Sequence, residues 1–510
     1  MIESPAPVDD FNLTEKQKKN MEQKITCFLP EAETADMKQT IGQLQEVEMV
    51  SDIYVMTTAR SGAIDLPEGV HWVKVPVLNS TEMVRKMAEH TGNNAYTLFY
   101  TKSLPLKLGA FSLERMAQAI DYTGAGMVYS DYYELKEGQQ LQHPVIDYQD
   151  GSLRDDFNFG SLLMFRGDAL KEAVDRMEAD YQYAGLYDLR LKVSQNNRLF
   201  RLPEFLYTEM ETDTRRSGEK IFDYVDPKNR DVQVEMEQAC TAHLKDIGGW
   251  LAPSFDPIAF DEGDFPVEAS VVIPVRNRAK TIEDAVRSVL DQQTSFSFNL
   301  IVVDNHSTDG TSEILAKLAS EDSRLIHLVP ERTDLGIGGC WNMAISHEQC
   351  GKFAVQLDSD DLYAGDDTLQ TIVNTFYEQN CAMVIGSYRM VNFQLEEIPP
   401  GIIDHKEWTP ENGRNNALRI NGLGAPRAFY TPVLRCIRVP NVSYGEDYAV
   451  GLSISRNYQI GRIYDPIYMV RRWEDNSDAS LDVVKMNNHN FYKDRVRTME
   501  LWARIAKNRQ

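Results

Sequence analysis

ASVVIPVRNRAKTIEDAVRSVLDQQTSFSFNLIVVD, residues 269–304, decides the fold. ASVVIPV (269–275) is a nearly unbroken apolar run, the pattern of a strand covered on both faces in a parallel sheet. TIEDAVRSVLDQ then carries Ile282, Val286, Val289 and Leu290 at helical spacing, with Thr281 placed as N-cap. NLIVVD (299–304) is the next strand. This strand–helix–strand order predicts an α/β domain with a mostly parallel sheet. The order continues through TSEILAKLAS, RLIHLVP (324–330), GGCWNMAISHE and KFAVQLD (352–358).

The same alternation occupies the first half. ITCFLP (25–30), DIYVMTT (52–58), VHWVKVPV (70–77) and AYTLFYT (95–101) read as strands between helical segments. Three blocks lay the halves on each other in one order. AYTLFYTKS (95–103) falls on KFAVQLDSD (352–360), residues 113–135 fall on 369–391, and 187–207 on 446–468. This is an internal duplication of a unit of roughly 200–240 residues. Between the copies, 226–251 has a helical pattern and 251–266 is rich in Pro, Asp and Gly, the composition of a linker. The expected division is a polar lead-in (1–22), a first α/β unit (23–215), a helical linker (216–267), a second unit (268–485) and an amphipathic C-terminal helix (486–510). On that helix Phe491, Tyr492, Val496, Met499, Trp502 and Ile505 are expected to share one face. It has two readings, packing on the second unit or peripheral attachment to an anionic membrane.

The chain has 510 residues with 53 Lys plus Arg against 77 Asp plus Glu, a net charge of -24. Such a surface repels phosphate backbones, which excludes nucleic acid as a main partner. The 42% of hydrophobic residues is enough for substantial cores. The six cysteines have no CxxC spacing and read as reduced thiols, mostly buried. The first 20 residues lack an apolar signal core, and no run reaches 18 apolar residues. A cytoplasmic protein, membrane-peripheral at most, is expected.

Six motifs carry candidate chemistry. LDSDD (357–361) sets three acids at the end of a core strand, where α/β sheets bind ligands. Asp358 and Asp360 share a side at period two and can reach one hard cation, Mg²⁺ or Mn²⁺, completed by phosphate oxygens. A solvated acidic turn is the plain alternative. VVIPVRNR (271–278) is the opening strand and loop. VVDNHSTDGT (302–311) ends a strand on Asp304, placed for a ribose or base, or for turn chemistry alone. ERTDLGIGGCWNMA (331–344) offers glycines and a helix N-terminus. YGEDYAVGLSISR (444–456) sets Glu446 and Asp447 at a helix start, as a general base or as dipole caps. VRRWEDNS offers Arg471 or Arg472 to a phosphate, or to solvent.

Together these motifs, over roughly 268–480, resemble the inverting family 2 glycosyltransferases of GT-A fold. The resemblance implies two tandem GT-A-like, Rossmann-like domains of the nucleotide-diphospho-sugar transferase type. It implies transfer of a sugar from a nucleoside diphosphate sugar, UDP favoured, to an acceptor hydroxyl in glycan or polysaccharide synthesis. The acceptor is a glycan, a lipid-linked molecule or a small molecule. It further implies a donor site of Pro274, Val275, Arg276, Asn277, Asp304, Asn342, Asp358 and Ser359, a divalent cation on Asp358 and Asp360, and Asp447 with Glu446 as the catalytic pair. GLGAPRAFYTPVL (422–434) falls where the family faces its acceptor, implicating Gly424, Phe429 and Tyr430, with Trp473 beyond. Two departures stand out: Arg276 replaces a frequent aromatic, and RRWEDNS stands where many relatives carry a His.

The first copy resembles the same family in decayed form. Thr101-Lys102-Ser103 replaces Asp358-Ser359-Asp360, MTTARSG has no acid at the place of Asp304, and Asp188 stands opposite Asp447. A lysine repels a cation. The copy is expected to be catalytically silent, serving to stabilise its neighbour, complete the acceptor site or mediate homo-oligomerisation. The rival readings are a nucleotidyltransferase on a related fold, disfavoured because PVRNRAK has no glycine, and a non-catalytic glycan-binding or partner subunit.

Overall fold

The computed structural model describes residues 23–58, 66–210, 230–261, 263–473 and 482–510. The lead-in 1–22, the ARSG of the first copy, the start of the linker and EDNS behind Trp473 lie outside the described residues. The chain divides into two units, 1–148 with 157–216 and 149–156 with 217–510.

In the first unit the apolar runs become β1 (Ile25–Pro30), β2 (Val50–Thr57), β3 (Val70–Lys74), β4 (Tyr96–Tyr100), β5 (Lys107–Leu108), β6 (Met127–Lys136), β7 (Gln139–His143), β8 (Leu162–Arg166) and β9 (Leu199–Met210). They form one sheet in the order β3-β2-β1-β4-β8-β6-β9-β5, with β7 on β6. The second unit has β10 (Ala269–Val275), β11 (Phe298–Asp304), β12 (Leu325–Leu328), β13 (Phe353–Gln356), β14 (Leu362–Tyr363), β15 (Met383–Val391), β16 (Glu397–Ile403), β17 (Arg427–Tyr430) and β18 (Ile460–Arg471). Its order is β12-β11-β10-β13-β17-β15-β18-β14, with β16 on β15. Every strand of the first sheet has its counterpart nine places later. Directions repeat as well: β1 and β10 run parallel to both neighbours, β8 and β17 antiparallel to theirs. Even side chains repeat, with Tyr207 opposite Tyr132 and Tyr468 opposite Tyr388. The duplication read from three blocks is a duplication of topology.

The strands are buried as their composition requires, β11 along its whole length. Five of the six cysteines are buried and Cys436 is exposed. Helix Ile282–Leu290 forms with Thr281 at its N-cap, but the hydroxyl does not cap it. It donates instead to the carbonyl of Ser359 at 2.9 Å, fixing the turn after β13. The helix expected in the linker is Arg230–Asp246, and it packs inside the second unit: Asn412 Nδ2 donates to Glu237 and Thr241, and Arg419 to Gln233.

The C-terminal helix is Val483–Asn508. Its buried face is ionic: Arg497, fully buried, pairs with Asp494 and donates to the Tyr448 hydroxyl and the Ile420 carbonyl, while Arg504 pairs with Glu500. Segment 149–156 joins this network through Ser152 and Arg154, both on Asp494. Of the six residues expected on one face, Val496 is buried, Tyr492 and Ile505 are half-buried, and Phe491, Met499 and Trp502 are exposed, because four charges already fill the contact. Removing one partner of a buried pair strands the other. Arg497→Ala should therefore lower unfolding free energy by about 3–5 kcal/mol in urea titration. A loss under about 1 kcal/mol, the range of an exposed pair, would show that the network is not structural.

Candidate active site

The site forms where β10, β11 and β13 end. β10 stops at Val275, in register with Asp304. Asn277 follows in the left-handed region, φ 55°. Its backbone N–H donates to Ser307 Oγ at 2.9 Å and its Oδ1 accepts from the Thr308 N–H at 2.8 Å. These bonds lock the loop after β10 to the loop after β11.

Asp304 fixes the second loop from below. It has no exposed surface, and it accepts from the Ser307 N–H and the Ser312 hydroxyl with His327 Nε2 at 3.5 Å. Burial pushes its carboxyl up, but the bonds from Ser307, Ser312 and His327 prevail and hold it below the usual carboxylate range. The carboxylate expected to contact a nucleoside is enclosed here and spent on organising its own loop. Val275 is likewise buried and offers backbone alone, its carbonyl accepting from Asn305, whereas Pro274 is half-buried and Arg276 is exposed.

The DSD turn follows β13. Asp358 accepts from Gln356 Nε2 at 2.8 Å, and its N–H donates to the Tyr468 hydroxyl at 3.0 Å. Asp360 lies 3.7 Å from Arg278 Nε and accepts from Trp473 Nε1 at 3.3 Å. The third acid, Asp361, turns away and accepts the Arg471 N–H at 2.9 Å. Burial raises Asp361 well above the carboxylate range, with Asp358 and Asp360 adding to it. Asp358 is raised by burial and by Asp360 and Asp447, against Arg427 and Gln356. Ser359 is buried and serves through its carbonyl on Thr281.

Two residues absent from the sequence reading complete the site. Gln356 gives its amide N–H to Asp358 and takes both the N–H and Nε–H of Arg427 on its Oε1, each at 3.1 Å. Arg427 then pairs with Asp447. The chain Asp358–Gln356–Arg427–Asp447 ties the strand-end acids to the helix Glu446–Ser455. A polar Gln closing an apolar strand and a lone cation opening β17 were the available signals. Arg427 and Lys493 outweigh burial and hold Asp447 below its ordinary range. Glu446 beside it is relieved less: its Oε2 is buried without a hydrogen bond, and burial with the Asp447 charge, against Arg427, pushes it up to about 7.

Other expected residues have structural work. Asn342 spends both ends of its amide on the backbone of Val439. Phe429 and Tyr430 are not acceptor groups. They sit in the central strand β17, packed on Trp341 and Phe260 within the core. Gly424, at φ 97°, lies against His405, where a Cβ would come within 2.6 Å of the ring. Arg471 is buried against Asp284 and the Asp360 carbonyl, so it braces the turn rather than facing a phosphate. Arg472 is half-buried and bonds Val391 through its backbone. Trp473 stands at the turn, between Asp360, Phe393 and the cations Arg278 and Lys280.

Two carboxylates on one turn fit a hard dication, which takes one or two protein carboxylates together with substrate phosphates. Among the described residues no group of three or more His, Cys, Asp or Glu is arranged for a metal. In the first unit the corresponding turn carries Lys102, ion-paired with the buried Glu209, which also takes the Ser161 hydroxyl. Asp188 is buried too.

A sequence model described as "Glycosyl transferase family 2" matches residues 270–438. The second unit carries a glycosyl transferase family 2 domain. TuaG of Bacillus subtilis, a glycosyltransferase named for teichuronic acid biosynthesis, is 36% identical over 122 residues, 24% of this chain and 47% of that protein. Glycosyltransferase GlyG of Streptococcus pneumoniae is 30% identical over 119 residues, 23% of this chain and 38% of that one. The match spans less than half of either relative. S. aureus TarS 1-349 in complex with UDP-GlcNAc overlaps with 24% identity and a TM-score of 0.36, covering 46% of this chain and 72% of that one, too faint an overlap to add to the family 2 assignment. No described helix is long and apolar enough to cross a membrane.

Glu446 gives a pH signature. An unfolded Glu ionises near 4.3 and the folded one at about 7, so its ionisation is penalised only in the folded state. The stability it allows is complete below the unfolded value and is lost as pH rises through the folded one. Glu446→Gln should match the wild type in urea at pH 4 and exceed it by on the order of 2 kcal/mol at pH 8. A difference that does not change with pH would place Glu446 in an ordinary solvated setting.

Proposed function

We propose that the second unit is an inverting, metal-dependent glycosyltransferase that moves a sugar from a nucleoside diphosphate sugar, UDP-linked first among the candidates, to an acceptor hydroxyl. The observation that carries this reading is the bonded chain from Asp358 through Gln356 and Arg427 to Asp447. It holds the donor-side acids and the helix-start acids in one cluster, within a family 2 domain.

Asp447 stays ionised through Arg427 and takes the proton of the acceptor hydroxyl. The hydroxyl oxygen bonds to the anomeric carbon from the face opposite the leaving group. The bond from that carbon to the diphosphate oxygen breaks, and its electron pair leaves with the nucleoside diphosphate. Asp358 and Asp360 would hold the divalent cation, Mn²⁺ or Mg²⁺, which when bound neutralises charge on the diphosphate. Arg278 and Lys280 add positive charge on the same side. Glu446, titrating near neutrality beside Asp447, sets how much negative charge the pair carries. The first unit, with Lys102 and Glu209 paired where the donor turn stands in the second, is a silent copy.

A donor-hydrolysis and transfer screen across nucleotide sugars tests this. Asp360→Ala should lose both hydrolysis and transfer by about a hundredfold or more. Asp447→Asn should keep donor binding and lose transfer to a similar extent. Transfer surviving Asp447→Asn undiminished would sink the assignment of the base, and no turnover of any nucleotide sugar would sink the reading.

A further inference from the structure

The C-terminal helix Val483–Asn508 presents an unusual outer face. Val484, Phe491, Arg495, Met499, Trp502 and Arg509 fall within one narrow arc at 100° per residue, and all are exposed. Met499 and Trp502 are 54% and 52% exposed. Among the described residues this one helix supplies five of the sixteen large apolar side chains found exposed. A stripe of this kind is ordinarily turned inward. Here it cannot roll inward, because Asp494, Arg497, Glu500 and Arg504 fix the opposite face by buried ion pairs.

The charge on the stripe identifies what it fits. Residues 483–510 hold seven cations and two acids in a chain of net charge -24. Both acids, Asp494 and Glu500, are buried in ion pairs. Every side-chain charge that 483–510 exposes is therefore positive, with Lys485, Arg495 and Arg509 on or beside the apolar row and Arg495 stacked on Phe491. Among the described residues, acids beside the helix include Asp482, which caps its start, and Asp150, which takes the Trp502 indole N–H at 2.9 Å. A second copy is a poor partner, because a twofold contact would set like charges against each other. An anionic lipid surface matches both components: headgroups for the cations, and the acyl boundary for Phe491, Met499 and Trp502.

We propose that this helix lies flat on an anionic membrane and docks the enzyme there through the Val484–Arg509 stripe. Its length, about 39 Å at 1.5 Å per residue, suits a helix lying in the interface plane, and its ionic inner face keeps it attached to the second unit. Docking needs neither nucleotide nor turnover, so it stands or falls apart from the catalytic reading.

Flotation of the purified full chain with vesicles tests it. Phosphatidylcholine vesicles containing 30% phosphatidylglycerol, about a third anionic lipid as in an acidic membrane surface, are compared with pure phosphatidylcholine. Wild type should float with the anionic vesicles, release in high salt, and stay behind with the neutral ones. Phe491→Glu with Met499→Glu, and separately Arg495→Glu with Arg509→Glu, should each weaken partitioning by about tenfold or more. Both pairs are solvent-facing, and an unchanged urea midpoint confirms folding. Wild type that does not float, variants that float equally well, or a wild-type dimer that the same substitutions dissolve would each overturn the proposal.

Discussion

Arg427 sits at the convergence of the acids at the site. Half-buried itself, it pairs with Asp447, shares Gln356 with Asp358, and is held charged by Asp447, Asp358 and Glu446 against the cost of desolvation. Carboxylates brought together at strand and helix ends repel one another, and burial sharpens the repulsion. One guanidinium with a fixed fork of donors relieves it for Asp447 and leaves it partly unrelieved for Glu446 and Asp358. The uneven relief leaves Asp447 ionised, Glu446 titrating near neutrality, and Asp358 and Asp360 together on one turn.

Most of the fold was legible because both sheets are built from apolar strands at fixed intervals. Burial on two faces makes such runs nearly continuous, and the order of ASVVIPV, NLIVVD and KFAVQLD could be read one strand at a time. The identical strand order of the two sheets then follows from three matching blocks. The site was legible only in part. Asp358, Asp360 and Asp447 stand at element ends and announce themselves. Gln356 and Arg427 are single polar residues in apolar strands, and their meaning depends on which strands become neighbours. β13 and β17 pair across more than 70 positions of sequence.

The misreadings share a cause. Phe429 and Tyr430 were placed near an acceptor because of where their segment falls in the family, yet β17 is a central strand whose aromatic rings must pack. Arg471, offered by sequence to a phosphate, ends its strand beside Asp284 and the Asp360 carbonyl, which claim it. For the C-terminal helix, packing and membrane attachment both stay open at the level of sequence, because a helical wheel cannot see four buried charges and the partners they find in the fold.

The duplication gives the account its sharpest contrast. Two sheets of one topology end in two opposite turns: Asp358 and Asp360 in one, Lys102 locked to Glu209 in the other. Only the first of these offers a pair of carboxylates to a dication. Calorimetric titration of the intact chain with UDP and Mn²⁺ measures this directly. One site per chain, weakened at least about tenfold by Asp360→Ala and untouched by Lys102→Ala, is the predicted result. A second site, or binding that persists unchanged in Asp360→Ala, would contradict it.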